Sequence, residues 1–158
     1  MDGHFSHLSD DLRLQAPRDS AAIAEGNQLL TMRLISDTQE RIRILALGGE
    51  IDLHFAPVFR TLLEEQTEVP TEALVLDLSE VTFIDSSAIA VIITHLRSST
   101  RSSNVFCIGG MSDAVKQVFE IIHLEKAMPV FATREAALEA LEQRKIKEPE
   151  KPLFAPTD

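Results

Sequence analysis

The run VLDLSEVTFIDSSAIAVIITHL, residues 75–96, changes its hydrophobic period at FIDSS. Before the join, in EALVLDLSEV, branched apolar residues crowd together, the composition of a strand covered on both faces. After it, Ile89, Ile92, Ile93 and Leu96 recur at helical intervals. A buried strand that turns at once into an amphipathic helix is the unit of a sheet built with crossover helices. That unit constrains the fold more than any other feature of the chain.

The flanking segments extend the same pattern. TMRLIS and RIRILALGG, separated by DTQE, read as two strands of a hairpin, with Arg41 and Arg43 alternating with Ile42 and Ile44. APVFRTLLEEQ spaces Val58, Phe59, Leu62 and Leu63 as a helix, with Pro57 suited to its first turn. NVFCIGG is a further strand, and SDAVKQVFEIIHL a further helix with Ser112 at its N-cap. PVFAT is a short strand and REAALEALEQR a last helix. The fold class is α/β: a small mixed sheet with parallel pairs, crossover helices and an opening hairpin. The paired glycines of LGGEID and CIGGMSD match neither a dinucleotide fingerprint nor a Walker loop, and read as turns.

Residues 1–30 are polar and patternless, an expected flexible arm with a short helix near Ala21–Leu30. The folded domain is expected over 31–143. RKIKEPEKPLFAPTD, with three prolines and alternating charge, reads as a disordered tail over 144–158.

Charge narrows the partners. The chain has 158 residues and a net charge of -10, so nucleic acid and anionic membrane surfaces are repelled. It has no Trp and no Tyr to stack on bases or sugars. The histidines at 4, 7, 54, 95 and 123 form no ligand spacing with one another or with Cys107, so no metal is expected, and no cofactor either. Cys107 reads as a buried, inert thiol. With no apolar leader or membrane-length run, a cytoplasmic location and no membrane insertion are expected.

Two roles compete at Ile84–Ser87. The first N–H groups of a helix lack internal partners, and Asp85, Ser86 or Ser87 can cap them for roughly 1 kcal/mol. On spacing alone, capping is favoured. The same bare N–H groups also favour an anion by about 0.3–2 kcal/mol. A phosphoryl group on Ser adds about 1.5–2 negative charges. A phosphoserine here would alter docking while sparing the fold. A hydrolase elbow is disfavoured, since IDSSA has no flanking glycines. A phosphoacceptor Asp of the receiver type would need an acidic cluster and a Lys around a metal ion, and neither stands out.

GEIDLHFAPVFR, LVLDLSEVTFIDSSAIAVII and DAVKQVFEIIHLEKAMPVFAT follow one another in the order and spacing of STAS domains. The resemblance covers roughly Thr31 to Leu141 and is strongest to the bacterial anti-sigma factor antagonists. It implies a small mixed sheet with helices packed mainly on one side, and a regulator rather than an enzyme. It also implies a phosphorylation switch: unphosphorylated antagonist binds an anti-sigma factor serine kinase, phosphorylation releases it, and a PP2C-type phosphatase restores binding. Transcription is the process regulated, often in a stress response. The matching acceptor is Ser86, with Ser87 the fallback and Asp85 the acidic neighbour. A monomer or weak dimer is expected. The family pattern D-S-S-G-L-G reads D-S-S-A-I-A here, so Ala88 and Ala90 replace two glycines that open the backbone to a partner. His123 stands where a Gly commonly ends the helix, a left-handed position that His adopts at a cost.

The partner surface expected from this likeness includes Asp85, Ser87, Ala88, Val91, Glu50, Asp52 and His54. Val91 either adds an apolar patch beside Ser86 or packs against a neighbouring element. Glu50 and Asp52 either pair with a basic partner or serve as turn and cap residues. The alternative function is a structural STAS subunit of a signalling scaffold or of an ABC-type transporter.

Overall fold

The computed structural model describes residues 19–25, 28–36, 41–68, 70–102 and 104–143. The chain runs β1 (Asp19–Glu25), β2 (Gln28–Ser36), β3 (Ile42–Ile51), α1 (Ala56–Thr67), β4 (Ala73–Ile84), α2 (Ser86–Ser102), β5 (Val105–Met111), α3 (Asp113–Ile122), a 3-10 turn (Leu124–Lys126), β6 (Val130–Phe131) and α4 (Arg134–Glu142). The strands form one sheet in the order β1-β2-β3-β4-β5-β6. β1, β2 and β3 pair antiparallel, and β3 to β6 pair parallel. The expected hairpin of TMRLIS with RIRILALGG is present as β2 and β3.

The helix expected near Ala21–Leu30 is not formed. Residues 19–25 and 28–30 are strands, with Asp19 opposite Leu34 and Glu25 opposite Gln28. The free edge of β2 offers a ladder of backbone partners, and that pairing overrides the weak helical preference of an Ala- and Leu-containing stretch. Of the arm expected over residues 1–30, residues 19–25 and 28–30 are thus strand; residues 1–18 and the tail expected over 144–158 lie outside the described residues.

A strand order that advances one place per crossover fixes the layers. Crossovers of a single hand, all moving the same way along the sheet, bring their helices to one face. Phe59 and Leu63 of α1, Ile89 and Ile92 of α2, and Val115 and Phe119 of α3 accordingly share one core with Leu45, Leu47, Leu76 and Leu78. α4 takes the opposite face, where Ala137 and Leu138 meet Ile35, Ile42, Ile44, Val75 and Cys107. Residues 73–78 of β4 are buried on both faces as their composition implied. Each large side chain so buried contributes about 1.5–3 kcal/mol. Burial also pushes the Cys107 thiol up to about 12, which fits an inert thiol.

The paired glycines are not turns. Gly48 and Gly49 lie in β3, and Gly109 and Gly110 in β5. At Gly109 a Cβ would stand 2.5 Å from Val75 Cγ1 and 2.9 Å from Arg134 Cα, so the bare backbone lets α4 approach the sheet. Gly49 has φ 99° and sits at a register shift between β3 and β4. That irregularity sets how the last residues of β3 meet β4 beside FIDSS.

Two helix ends follow the sequence closely. Ser112 Oγ accepts from Val115 N at 3.2 Å, the cap expected for α3. His123 ends α3 in the left-handed conformation, φ 58° and ψ 34°.

Candidate functional site

β4 ends at Ile84, and α2 begins two residues later at Ser86. Asp85 forms the join. Its backbone N–H donates to Ile51 O at 3.3 Å, which ties the join to the end of β3. Its carboxylate Oδ1 accepts from Ser87 N at 3.0 Å, from Ala88 N at 3.3 Å and from Ser87 Oγ at 2.5 Å. Asp85 is therefore the N-cap of α2, its side chain accepting from the first free N–H groups of the helix. The N–H groups of Ser87 and Ala88, expected to be bare for an anion, are already satisfied by this side chain.

The two serines are thereby separated. Ser87 is half-buried and its hydroxyl is spent on Asp85. Ser86 is exposed, and among the described residues no partner takes its hydroxyl.

β3 brings its own end alongside. Glu50 lies opposite Phe83 and Ile51 opposite Ile84 in the parallel ladder. Asp52 Oδ1 accepts from His54 N at 2.9 Å, and Asp52 O accepts from Phe55 N and Ala56 N at 3.1 and 2.9 Å. Asp52 thus builds the turn that leads into α1. Glu50 and His54 are exposed beside it.

Ala88 and Val91 do not face outward. Ala88 is 0% exposed and Val91 is 2% exposed, so neither offers a surface to a docked protein. The apolar stripe of α2 is wider than the four residues that mark it, because α1 packs on its flank. Val91 lies with Leu63 and His95 around a small cavity of about 140 Å³ between the two helices. Of the two alanines, Ala90 is the exposed one.

Two exposed apolar residues lie near these segments in the chain. Leu53 is 73% exposed and Phe83 is 47% exposed. Sequence reasoning passed over both. Phe83 was hidden in a strand whose first half is covered on both faces. The signal for it was positional: it stands on the far side of the backbone from buried Ile84. Leu53 follows the turn residue Asp52 and carries no periodic signal.

His95 is buried with its ring edge-on to Phe106, centroids 4.5 Å apart, and desolvation lowers it to about 4. Among the described residues, no group of three or more His, Cys, Asp or Glu side chains converges as a metal site would. Among the same residues, no helix is long and apolar enough to cross a membrane.

This arrangement of sheet and helices occurs in known proteins. The family model of the STAS domain matches residues 33–137. The anti-sigma-B factor antagonist of Staphylococcus aureus is 24% identical over 101 residues, which span 64% of this chain and 94% of that protein. Among solved structures, an anti-sigma factor antagonist from Mycobacterium paratuberculosis shares the fold with a TM-score of 0.64 and 22% identity, over 72% of this chain and 94% of its own. The antagonist SpoIIAA in its unphosphorylated form gives 0.60 and 19%, over 71% and 96%. The match across two thirds of the sequence, on the sheet and helices described above, assigns the chain to the STAS domain family.

Proposed function

We propose that this protein is an anti-sigma factor antagonist that works as a phosphorylation switch at Ser86. The observation that carries the reading is the division of labour at the start of α2: Asp85 and Ser87 cap the helix, while the Ser86 hydroxyl is exposed and unengaged. A kinase needs such a hydroxyl, reachable and not tied into the fold. Support comes from the relatives, which bear the name of antagonists, and from SpoIIAA, which occurs in unphosphorylated and phosphorylated forms.

In the unphosphorylated state, Leu53 and Phe83 supply apolar contact beside Ser86 for an anti-sigma factor that is also a serine kinase. Glu50, Asp52 and the Asp85 carboxylate give that surface an acidic rim, suited to a basic partner, and His54 lies beside them. Phosphorylation puts about 1.5–2 further negative charges next to Asp85, whose carboxylate already fills the helix cap. The phosphoryl group is therefore left on the docking face and not absorbed by the helix end. A loss of about 3 kcal/mol of binding weakens the complex more than a hundredfold. A PP2C-type phosphatase resets the switch. The protein acts by binding, in the cytoplasm, and regulates transcription through the released sigma factor.

The test is capture from native host lysate on three baits: the wild type, Ser86→Ala and Ser86→Asp. The reading predicts a small ATP-binding kinase on the wild type and the Ala variant and its loss from the Asp variant. The same transporter or scaffold proteins on all three baits would instead make the protein a structural STAS subunit with Ser86 as a helix-start residue only.

A further inference from the structure

α4 covers only part of its face of the sheet. Beside it, over the middle of β2, β3 and β4, a cleft of about 710 Å³ opens. Its floor carries Thr31, Gly48, Asp77 and Ser79, and Arg134 at the start of α4 forms a wall. This volume is in the range of small-molecule sites. Gly48 keeps the floor clear: a Cβ there would come within 2.6 Å of Thr31 Oγ1.

The polar groups of the cleft are unequally supplied. Asp77 is nearly full. Its Oδ1 accepts from Ser79 N at 2.9 Å and Ser79 Oγ at 2.6 Å, and its Oδ2 lies 3.5 Å from Arg134 Nε. Arg134 is short of acceptors. Its Nε is shared between Asp77 and, at 3.8 Å, Glu135, while its buried Nη1 has no hydrogen-bond partner among the described residues. A buried donor left unsatisfied gains from any acceptor brought to it. The unmet demand at the cleft wall is thus for an acceptor oxygen. At the rim, exposed Arg33 adds a second cation and exposed Glu80 a carboxylate able to accept from hydroxyl groups.

We propose that this cleft binds a small hydroxylated organic phosphate, a sugar phosphate or similar polyol phosphate. Its phosphoryl oxygens meet the guanidinium groups of Arg134 and Arg33. Its hydroxyls meet Glu80 and Thr31. The ligand sits against the stretch of β3 and β4 that leads directly into Glu50, Phe83 and Asp85, so occupancy bears on the strands that carry Ser86. The binding itself needs neither a partner protein nor phosphorylation of Ser86.

The experiment is an amide-NMR titration of the full chain with ribose 5-phosphate, with ribose and inorganic phosphate as separate probes. Ribose 5-phosphate is expected to shift the amides of residues 31–33, 46–49 and 77–80, and to bind at least ~10-fold more tightly than either fragment. Arg33→Gln, on an exposed side chain that leaves the fold alone, is expected to weaken it at least ~5-fold, and Arg134→Gln at least ~10-fold. Arg134→Gln also strips Asp77 of a cation, so Arg33→Gln decides the matter should that variant fail to fold. Shifts absent from the cleft, equal binding by Arg33→Gln, or inorganic phosphate binding as well as the sugar phosphate would each overturn the proposal.

Discussion

Ser87 Oγ lies 2.5 Å from Asp85 Oδ1, and this contact decides which of two adjacent serines is available. A hydroxyl that donates to a capping carboxylate must break that bond before it can be phosphorylated. Its neighbour Ser86, one residue earlier on the same turn, has nothing to break. The two residue types are identical, and position relative to the cap separates their roles.

The cap should be visible in stability. Asp85→Ala removes an acceptor of three hydrogen bonds and is expected to cost about 1–2 kcal/mol. In thermal unfolding this lowers Tm by about 3–8 °C. Ser87→Ala loses one bond and is expected to cost about 0.5–1.5 kcal/mol. Ser86→Ala should stay within about 0.5 kcal/mol of the wild type. Calorimetry that found Ser86→Ala as damaging as Asp85→Ala would assign the capping role wrongly here.

Ala88 and Ala90 should separate in the same way. Ala88 has its methyl in the core, so Ala88→Gly loses packing as well as helix propensity, about 1.5–2 kcal/mol in all. Ala90 is exposed, and Ala90→Gly should cost only the propensity, about 0.5–1 kcal/mol. Denaturant midpoints with unaltered m-values would measure both. Equal losses would mean that the Ala88 methyl packs no better than an exposed one.

His95 supplies a pH dependence. Desolvation beside Phe106 lowers its folded pKa to about 4, below the ordinary 6.5. Below pH 6.5 the unfolded chain takes up a proton that the folded chain excludes, so this contribution is full above about pH 6.5 and is lost as pH falls toward 4. The loss is expected to reach about 1–2 kcal/mol at pH 5. His95→Leu, which cannot titrate, should show a shallower decline between pH 6.5 and 5. Parallel stability curves for the two proteins would contradict the burial of a neutral imidazole.

Leu53 and Phe83 should matter more for binding than for folding. Leu53 is mostly exposed, so Leu53→Ser is expected to move stability by no more than about 0.5 kcal/mol, while Phe83→Ser, from a half-exposed strand position, is expected to cost about 1 kcal/mol. Each should weaken the kinase complex by about 10-fold or more, as central apolar anchors do. Titration calorimetry against the captured kinase would show it. Unaltered affinity in both variants would place the docking face elsewhere.

Much of the architecture was legible because periodicity and burial agree. The double-sided burial of residues 73–78 is read from their run of branched residues and the stripe Ile89, Ile92, Ile93 and Leu96 from spacing, and the structure buries all of them except Ile93, which is partly buried. The strand over residues 19–25 was not legible. It forms because β2 has an edge to pair, a fact that lies elsewhere in the chain. The glycine pairs misled for a related reason: Gly109 is small because α4 must come close, not because the chain turns. Ser86, Asp85 and Asp52 stood out by motif and position. Val91 was ambiguous, since one flank of a helix can meet either solvent or a neighbouring helix, and here it meets α1. Phe83 escaped notice because exposure late in a strand depends on where its partner strand stops, and Leu53 because a turn position carries no periodic signal.

The central claim, that Ser86 is the phosphoacceptor, is tested most directly by phosphosite mapping of the protein isolated from its own host. Wild type and Ser86→Ala would be purified in parallel and the peptide spanning residues 75–97 fragmented. The account predicts phosphate on Ser86 in the wild type and none on that peptide in the variant. Phosphate on Ser87 in both proteins would contradict it, because that hydroxyl is the one bound to Asp85.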